Sequence, residues 1–233
     1  MAHPEQLRFV ETIKGLFPEF FSSTRVLEIG SLDITGSVRQ YFEGSEYIGV
    51  DIAAGPGVDT ICQGQDYNAP AGSFDIVISC EAMEHNPYWA ETLANMIRLC
   101  RPGGMILMTC ASTARREHGT ARANPIASPN TIRLGWNYYR NLTEANFRST
   151  LPLGNDLEPL AFFSNWKARD LYMIGFKRGA ASPASASQHI TAIHRHYRSA
   201  NIRHGLRTNY FLLRLLILMF GEARCQAWRI RMA

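Results

Sequence analysis

Two histidines stand in polar segments that each follow a strongly apolar run. His85 lies in EAMEHNP, after FDIVISC, and His118 lies in RREHGT, after MILMTC. A neutral imidazole can take a proton from a hydroxyl group at neutral pH, and Glu84 or Glu117 could orient either ring. His85 and His118 are therefore candidate catalytic bases. The alternatives are that His85 caps the following helix or holds a loop, and that His118 lies in a solvated loop.

A second candidate site lies in VLEIGSLDITGS, residues 26–37. A short apolar run reaches Gly30, and Asp51 ends the next apolar run. A glycine turn between a strand and a helix favours a polar or anionic ligand, and an acid about 20 residues further on accepts hydrogen bonds from the ribose hydroxyls of a nucleoside. The next glycine is Gly36, so the close glycine triplet of a dinucleotide site is absent. The alternative is an ordinary turn with a surface aspartate.

The elements that would position these residues alternate between strands and helices, which predicts a mostly parallel sheet with right-handed crossovers. GSVRQYFEG (36–44) predicts a short helix, and Asn86-Pro87 predicts the start of a longer helix that Pro102-Gly103-Gly104 ends. Residues 111–140 lack periodicity and predict a long loop. A short helix capped by Asn141 or Thr143 is predicted at 141–151. Apolar runs predict strands at 26–29, 47–51, 58–61, 74–80 and 105–110, and an antiparallel pair at 157–166 and 170–179.

Four segments, VLEIGS, YIGVDI, FDIVISCEAMEHN and RPGGMILMTC, occur in this order over residues 26–110. Together they resemble the motifs of the class I S-adenosylmethionine-dependent methyltransferases, in particular the broad type 11 group that acts on small molecules and glycans. The resemblance implies a Rossmann-like α/β fold, with a seven-stranded, mostly parallel sheet whose last strand is antiparallel. The first motif departs from the family pattern E/D-x-G-x-G-x-G, because Ser31 follows Gly30 and Gly36 comes late. S-adenosylmethionine has no pyrophosphate, so a longer loop is tolerable.

The resemblance also implies roles for matching residues. Glu28 would orient the methionine amino group, the backbone of Gly30 and Ser31 would face the methionine portion, and Asp51 would bind the ribose. The other implied cofactor-binding residues are Gly36 in the loop, Ile52 and Asp66 at the adenine with Gln65 or Tyr67 beside them, and Cys80 and Glu81 at the sulfonium. Two alternatives stay open, since Asp66-Tyr67-Asn68 could be only a turn and Cys80 only a core residue.

The region between the fifth strand and the closing pair holds the acceptor-binding segments in the family that the sequence resembles. Trp136, Tyr138 and Tyr139 could stack on a sugar or another ring, or could pack the loop onto the sheet. Three arginines could hold an anionic group, namely Arg115, Arg116 and Arg140. A small-molecule or sugar acceptor is therefore expected.

The whole chain of 233 residues has an ordinary globular composition, with 46% apolar and 19% charged residues. The N-terminal MAHPEQLRFV does not look like a signal segment, and five cysteines without a C-x-x-C pair favour reduced thiols in the cytoplasm over disulfides or zinc. No metal site is predicted. The expected organisation is a methyltransferase domain at 1–180, a linker at 181–188 and a basic, partly amphipathic helical extension at 189–233.

The extension carries the basic charge of the chain, with eight arginines and one acid in residues 185–233 against a net charge of +4 overall. YFLLRLLILMF (210–220) is too short to span a bilayer, which needs about 20 residues. The extension could lie peripherally on the inner face of a membrane, cover the active site or form a homodimer. Nucleic-acid binding is disfavoured because no recognisable module is present.

The expected function is S-adenosylmethionine-dependent methyl transfer to an oxygen of a small molecule or glycan precursor, with S-adenosylhomocysteine as product. One alternative is an NAD-dependent oxidoreductase or epimerase, although no Tyr-x-x-x-Lys motif occurs. The other is a non-catalytic protein of the same fold that acts as a partner at a membrane surface.

Overall fold

The computed structural model describes residues 3–231 and is built around one seven-stranded sheet. Its strands are β1 (Arg25–Ile29), β2 (Glu46–Asp51), β3 (Thr60–Ile61), β4 (Phe74–Cys80), β5 (Cys100–Ala111), β6 (Leu157–Asn165) and β7 (Asp170–Lys177). From edge to edge the order is β3-β2-β1-β4-β5-β7-β6.

Strand β1 lies near the middle of the sheet and pairs in parallel with β2 and β4. Strand β7 runs antiparallel to both β5 and β6. The predicted fold class is thereby confirmed, including the reversed last strand. Because parallel strands share one direction, the carboxyl ends of β1, β2 and β4 meet at one edge of the sheet, where ligands of open α/β folds bind.

Helices cover both faces of the sheet. They are α1 (Pro4–Leu16), α2 (Trp89–Leu99), α3 (Pro129–Arg133), α4 (Glu144–Thr150), α5 (Leu153–Asp156), α6 (Ala186–Arg207), α7 (Tyr210–Phe220) and α8 (Glu222–Arg231). On one face Phe9 of α1 stacks on Tyr172 of β7 at 4.5 Å between ring centroids. On the other face Trp89 of α2 meets Phe147 of α4 edge-on at 5.1 Å. Of the two predicted caps of α4, Thr143 is the cap.

The segment 36–44 forms a single 3₁₀ turn, Val38–Tyr41, where a helix was predicted. The Ser37 hydroxyl accepts from the amide of Arg39 at its start, and the amide of Phe42 donates to the Arg39 carbonyl at its end. Val38 and Phe42 are both buried, so the chain is anchored at each end of one turn and enters β2 directly afterwards. Packing overrides the local helix signal here.

The helix after β4 begins at Trp89, two residues later than Asn86-Pro87 predicted. Asn86 still shapes its entry, because its side-chain oxygen accepts from the Tyr88 amide at 2.8 Å. Pro102-Gly103-Gly104 does not form a loop after the helix: β5 already begins at Cys100, which pairs with Phe74.

The predicted loop 111–140 is irregular except for a 3₁₀ turn at Pro125–Ala127 and the short α3. Helix α6 begins at Ala186, inside the predicted linker, and buries Ile190 and Ile193 in the core of the domain. The division at 181–188 stays a prediction, but the first part of the extension packs as a layer of the domain. Within the described range 3–231, no helix has the length and apolarity needed to cross a membrane.

Candidate active site

The carboxyl edge of the sheet opens into a cleft, called the first cleft. Its floor comes from the turns after three adjacent strands, and the segment 127–136 closes its rim. The predicted residues that line it are Gly30, Asp51, Ile52, Glu81 and His85. Sequence motifs far apart in the chain therefore meet in one cleft, because their strands are neighbours in the sheet.

Gly30 makes the turn after β1 with a left-handed backbone, φ 81°. A Cβ at this position would lie 2.4 Å from the Cβ of Ala82, so only glycine fits beneath the end of β4. The amides of Gly30 and Ser31 donate to the Val50 carbonyl at 2.8 and 3.1 Å, which holds the turn against β2. The result is bare backbone facing the cleft.

Asp51 ends β2 and is half-buried at the wall of the first cleft. One carboxylate oxygen accepts from the Leu32 amide at 3.1 Å and the other from the Ile52 amide at 2.8 Å. Burial raises the pKa of Asp51, although these backbone amides act in the opposite direction. The carboxylate is therefore fixed in orientation by the loop after β1 as well as by its own strand.

Glu28 and Ser31 stand behind the turn rather than in the first cleft. The Glu28 carboxylate is buried and accepts from the Tyr47 hydroxyl at 2.7 Å, and burial raises its pKa. The Ser31 side chain is buried and packs towards Gly49, away from the cleft. Gly36 lies further along the loop, where its amide donates to the Asp33 carboxylate at 2.9 Å. Of these residues, none lines the first cleft.

The residues predicted around the adenine and the sulfonium are only partly brought to the cleft. Asp66 is exposed on a turn, and Tyr67 packs towards Phe74 in the core. Gln65 accepts from the Thr92 hydroxyl at the start of α2. Cys80 is fully buried, and burial raises its pKa to about 12. Cofactor contacts at these positions stay predictions, beside the alternatives of a simple turn at 66–68 and a core cysteine.

Cys62 and Gly64 line the first cleft but were not predicted. They directly follow β3, at the same edge of the sheet as Gly30 and Asp51. A Cβ on Gly64 would lie 2.5 Å from Ile29, so glycine allows this loop to approach β1. The rule that ligands bind at the carboxyl ends of parallel strands, applied to the short third strand, would have found both residues.

Glu81 follows β4 with a left-handed backbone, φ 52°, and is 7% exposed. Gln6 donates to one carboxylate oxygen, and Arg115 lies 3.5 Å from the other. Burial alone would raise the pKa of Glu81, but the charges of Arg115 and of His3 hold it below its ordinary value. Glu81 lines both the first cleft and a second, more polar one.

The second cleft lies between the loop after β5 and helix α8. Four arginines line it, Arg115, Arg116, Arg122 and Arg229, together with His3, His118, Glu81 and Glu117. Arg115 and Arg116 were predicted to face an acceptor, whereas Arg122 and Arg229 were not. Arg140 is exposed and lines neither cleft.

His85 and His118 come together between the two clefts, with ring centroids 4.9 Å apart. His85 is 3% exposed, and burial lowers its pKa to about 3. Burial also lowers the pKa of His118, whose Nδ1 lies 2.9 Å from the Arg116 carbonyl. Tyr139 packs against both rings at 5.5 and 4.9 Å. Both imidazoles are therefore neutral at physiological pH.

Glu84 and Tyr139 support this pair. The Glu84 carboxylate is fully buried and accepts from the Ala111 amide at 3.0 Å, so it is not a surface group that turns freely. Burial, with Glu81 nearby, raises the pKa of Glu84 well above its ordinary value. The Tyr139 hydroxyl donates to the Asn141 side chain at 2.8 Å, which directs it away from the first cleft. Of the other two predicted aromatics, Trp136 lines that cleft and contacts Tyr88, whereas Tyr138 lines neither cleft.

The strand order, the glycine turn after β1 and the acid at the end of β2 define a Rossmann-like fold of the methyltransferase type. A family model described as a methyltransferase domain matches residues 1–147. The chain belongs to this methyltransferase-domain family, which favours methyl transfer over the NAD-dependent alternative. Among curated proteins no sequence match was found.

Solved structures support the fold. A phosphoethanolamine N-methyltransferase 2 of Haemonchus contortus, in complex with phosphomonomethylethanolamine and S-adenosylhomocysteine, is similar at TM-score 0.54 and 14% identity over 75% of this chain and 53% of its own. The CurJ carbon methyltransferase has TM-score 0.51 and 14% identity over 74% of this chain and 54% of its own. A protein of Bacillus halodurans C-125, described as a methyltransferase, is similar at TM-score 0.51 and 12% identity over 75% of this chain and 99% of its own. The chain thus matches about half the length of the first two.

Proposed function

We propose that the protein is an S-adenosylmethionine-dependent methyltransferase that acts on an oxygen of a small anionic acceptor. The observation that carries the proposal is the junction of the two clefts. A cleft with a nucleoside-type acid meets a cleft rich in arginine, and Glu81 lines both. A methyl donor and an anionic acceptor bound in these clefts would meet at Glu81.

The residues of the first cleft fit the cofactor. The Asp51 carboxylate has the fixed position needed to accept from ribose hydroxyls. Gly30 packs directly against Ala82 and lines the first cleft with backbone, which would face the methionine portion. Ile52 offers an apolar surface for the adenine. When bound, S-adenosylmethionine supplies a methyl group on a positively charged sulfur.

The residues of the chain mainly have to bind and align the two partners, since the transferred carbon is already activated. Arg116 and Arg229 make no ion pair with a described residue, so these two arginines of the second cleft favour a carboxylate, phosphate or sulfate on the acceptor. A sugar acceptor stays within the proposal if it carries such a group. The roles of His85 and His118 as bases stay predictions. A pKa of about 3 makes His85 a weak base, so His118 is the better candidate of the two.

Calorimetry tests the cofactor part of the proposal. S-adenosylhomocysteine should bind saturably and NAD should not. Asp51→Asn should weaken S-adenosylhomocysteine binding by about 1–3 kcal/mol, because a buried hydrogen-bond acceptor is lost. Asp156→Asn is the matched control, since Asp156 is exposed on α5 and lines neither cleft, and its affinity should equal the wild type. Equal affinity in Asp51→Asn would remove Asp51 from the site.

The acceptor is found by incubating lysate with isotopically labelled S-adenosylmethionine and identifying labelled products by mass spectrometry. A labelled anionic product with a new O-methyl group is expected. Binding of S-adenosylhomocysteine without transfer to any acceptor would favour the non-catalytic alternative. A product methylated on nitrogen or carbon would overturn the choice of oxygen and leave the enzyme class intact.

We also propose that helices α6 and α7 attach the protein to an anionic membrane face, the cytoplasmic side of a membrane. Six apolar residues of α7 are exposed, and all but Phe220 lie on one face of the helix: Phe211, Leu212, Leu215, Leu218 and Met219. Exposed arginines lie on the neighbouring helices α6 and α8, among them Arg203, Arg207 and Arg224. Apolar side chains beside basic ones are the pattern of helices that lie in the plane of an anionic bilayer surface.

A further inference from the structure

Three side chains at the junction of the clefts bring potential metal ligands together. One donor atom each from Glu84, His85 and His118 lie within 4.8 Å of one another. Two imidazoles and one carboxylate are a common donor set for divalent first-row metal ions. A metal ion holds such donors at about 2.0–2.2 Å, so small side-chain movements would close the set around it.

Two of these side chains are buried without partners for their polar atoms. Both ring nitrogens of His85 lack a hydrogen-bond partner among the residues described. The Oε2 atom of Glu84 lacks one as well. His85 is 3% exposed and Glu84 is not exposed at all. Buried polar atoms are paired in most proteins, because leaving one unpaired costs about 1–3 kcal/mol. Three unpaired atoms at one place therefore indicate a missing binding partner.

The side chains of Glu84 and His118 each contact the backbone through the atom that would not bind the metal. The second oxygen of Glu84 accepts from the Ala111 amide at 3.0 Å. Nδ1 of His118 lies 2.9 Å from the Arg116 carbonyl and donates to it in the neutral tautomer that leaves Nε2 unprotonated. Metal-binding histidines usually donate their other ring N–H to a carbonyl or carboxylate in this way. The anchored side chains are thus oriented as ligands.

The neighbouring cluster of His3, Glu81 and Asp170 differs because its carboxylates are already paired with a cation. Its donor atoms also lie close together, but Arg115 reaches Asp170 at 3.3 Å and Glu81 at 3.5 Å. His3 adds a contact to Asp170 at 2.9 Å. A guanidinium already supplies the positive charge there. No described cation makes an ion pair with Glu84, and its Oε2 atom has no hydrogen-bond partner among the described residues.

We propose that Glu84, His85 and His118 form a binding site for a divalent transition-metal ion such as Mn²⁺, Fe²⁺, Co²⁺ or Zn²⁺. Glu81 lies beside this site, with its carboxylate 3.9 Å from Nε2 of His118. Three protein ligands leave coordination positions open for oxygen atoms of a substrate or water. His85 lines the first cleft and His118 the second, so those open positions face the junction.

The role of the metal rests on the proposed function. An acceptor hydroxyl bound to the metal would lose its proton more easily, because the cation stabilises the resulting alkoxide. In the transfer, the O–CH₃ bond forms as the S–CH₃ bond breaks and the electron pair of that bond stays on sulfur. The hydroxyl proton passes to water in the open second cleft. The nitrogen of His118 that binds the metal is then not the base.

Metal binding is measured directly, without turnover. The full-length protein is freed of metal with a chelator, dialysed and titrated with Mn²⁺, while electron paramagnetic resonance follows the loss of the aqueous Mn²⁺ signal. Co²⁺ is titrated in parallel, and its visible absorption reports imidazole coordination. One ion per chain is expected for both metals. Titration with S-adenosylhomocysteine in the same samples tests the proposed function separately.

Three ligand variants and one control complete the test. Glu84→Gln keeps the shape of the carboxylate, and His118→Ala alters a side chain that is only 16% exposed but borders the open second cleft. Each should weaken Mn²⁺ binding about tenfold or more, as should His85→Ala if it folds. His3→Ala is the matched control from the neighbouring cluster and should bind Mn²⁺ like the wild type. Circular dichroism and S-adenosylhomocysteine affinity show which variants are folded.

Two results would overturn the site. One is a folded wild-type protein that binds S-adenosylhomocysteine but takes up neither Mn²⁺ nor Co²⁺. The other is metal binding that Glu84→Gln and His118→Ala leave unchanged. Stoichiometric metal binding without S-adenosylhomocysteine binding would keep the metal site and overturn the proposed function instead.

Discussion

At the scale of single residues, two left-handed backbone positions shape the first cleft. Gly30 ends β1 at φ 81° and Glu81 follows β4 at φ 52°. Glycine adopts this conformation without steric cost, whereas a glutamate adopts it only when its surroundings hold it there. Three side chains contact the Glu81 carboxylate and hold it in place: Gln6, Arg115 and His3. The strained residue lies where the two clefts meet.

Gly30→Ala should destabilise the protein and weaken S-adenosylhomocysteine binding. The new methyl group would meet the Cβ of Ala82 at 2.4 Å, and the left-handed backbone alone costs about 1–2 kcal/mol for alanine. Urea denaturation and calorimetry measure the two effects. Gly15→Ala is the control, because Gly15 lies in α1 with nothing within 4 Å of an added Cβ. It should be neutral or stabilising by up to about 1 kcal/mol. If Gly30→Ala is as stable and binds S-adenosylhomocysteine as tightly as Gly15→Ala, the turn is not closely packed against Ala82.

Sequence reasoning found the residues that lie at predictable points of the strands. Gly30, Asp51, Ile52 and Glu81 all follow a strand of clear apolar pattern, and the structure brings them to one cleft. Cys62 and Gly64 were missed, because the two-residue strand β3 before them gives little pattern, and the role of Asp66 at the adenine stays a prediction. The unpaired atoms of His85 are also invisible in the sequence, because they depend on how the loops at 111–119 and 139 pack.

At the scale of elements, the strands were predictable, whereas of the two short helices predicted at 36–44 and 141–151 only α4 forms. Buried strands such as β4 and β5 show long apolar runs that only a sheet covered on both faces explains. The segment 36–44 has the same kind of boundary signals as α4, but only α4 has a capping box and a buried Phe147 to hold more than one turn. The difference lies in tertiary contacts that no local pattern contains.

Helix α8 packs on the loop that carries Arg115 and Arg116. The Glu222 carboxylate accepts from the Ala114 amide and from the Asn141 side chain at 2.9 Å, and Arg229 donates to the Ala114 carbonyl at 2.9 Å. Gln226 accepts from the Glu117 amide at 3.1 Å. Of the three roles considered for the extension, a cover over the active site matches these contacts of α8, while α7 remains exposed.

Glu222→Ala should loosen this loop without affecting the first cleft. Two groups that now donate to the carboxylate lose their acceptor, so trypsin should cleave after Arg115 and Arg116 faster than in the wild type. Mass spectrometry of the fragments identifies the bonds cut, and S-adenosylhomocysteine affinity should stay unchanged. Arg224→Ala, on an exposed position of the same helix, is the control. Equal cleavage in both variants would show that α8 does not hold the loop.

At the scale of the whole molecule, the two clefts and the basic extension form one continuous arrangement. The first cleft lies at the carboxyl edge of the sheet, the second lies under α8, and the exposed apolar face of α7 precedes α8 directly. Eight arginines in residues 185–233 give this end of the protein its positive charge. Attachment through α7 would therefore place the entrance of the second cleft near the membrane surface.

Vesicle sedimentation tests the attachment with the full chain. We expect binding to vesicles that contain anionic phospholipid, weaker binding in high salt, and little binding to purely zwitterionic vesicles, because arginines near the surface contribute about 1 kcal/mol each. Leu215→Glu and Leu218→Glu remove apolar side chains from the exposed face of α7 and should each weaken binding about tenfold.

Ile61→Glu provides the charge-matched control, because Ile61 is 62% exposed on β3, outside the extension. It should bind vesicles like the wild type, since neither the arginines nor the apolar face of α7 is altered. Sedimentation equilibrium without lipid tests the competing explanation, which is that α7 forms a homodimer contact. If the wild type forms a homodimer that Leu218→Glu dissociates, and anionic vesicles bind neither protein, then α7 is a contact between two copies of the chain and the membrane proposal is wrong.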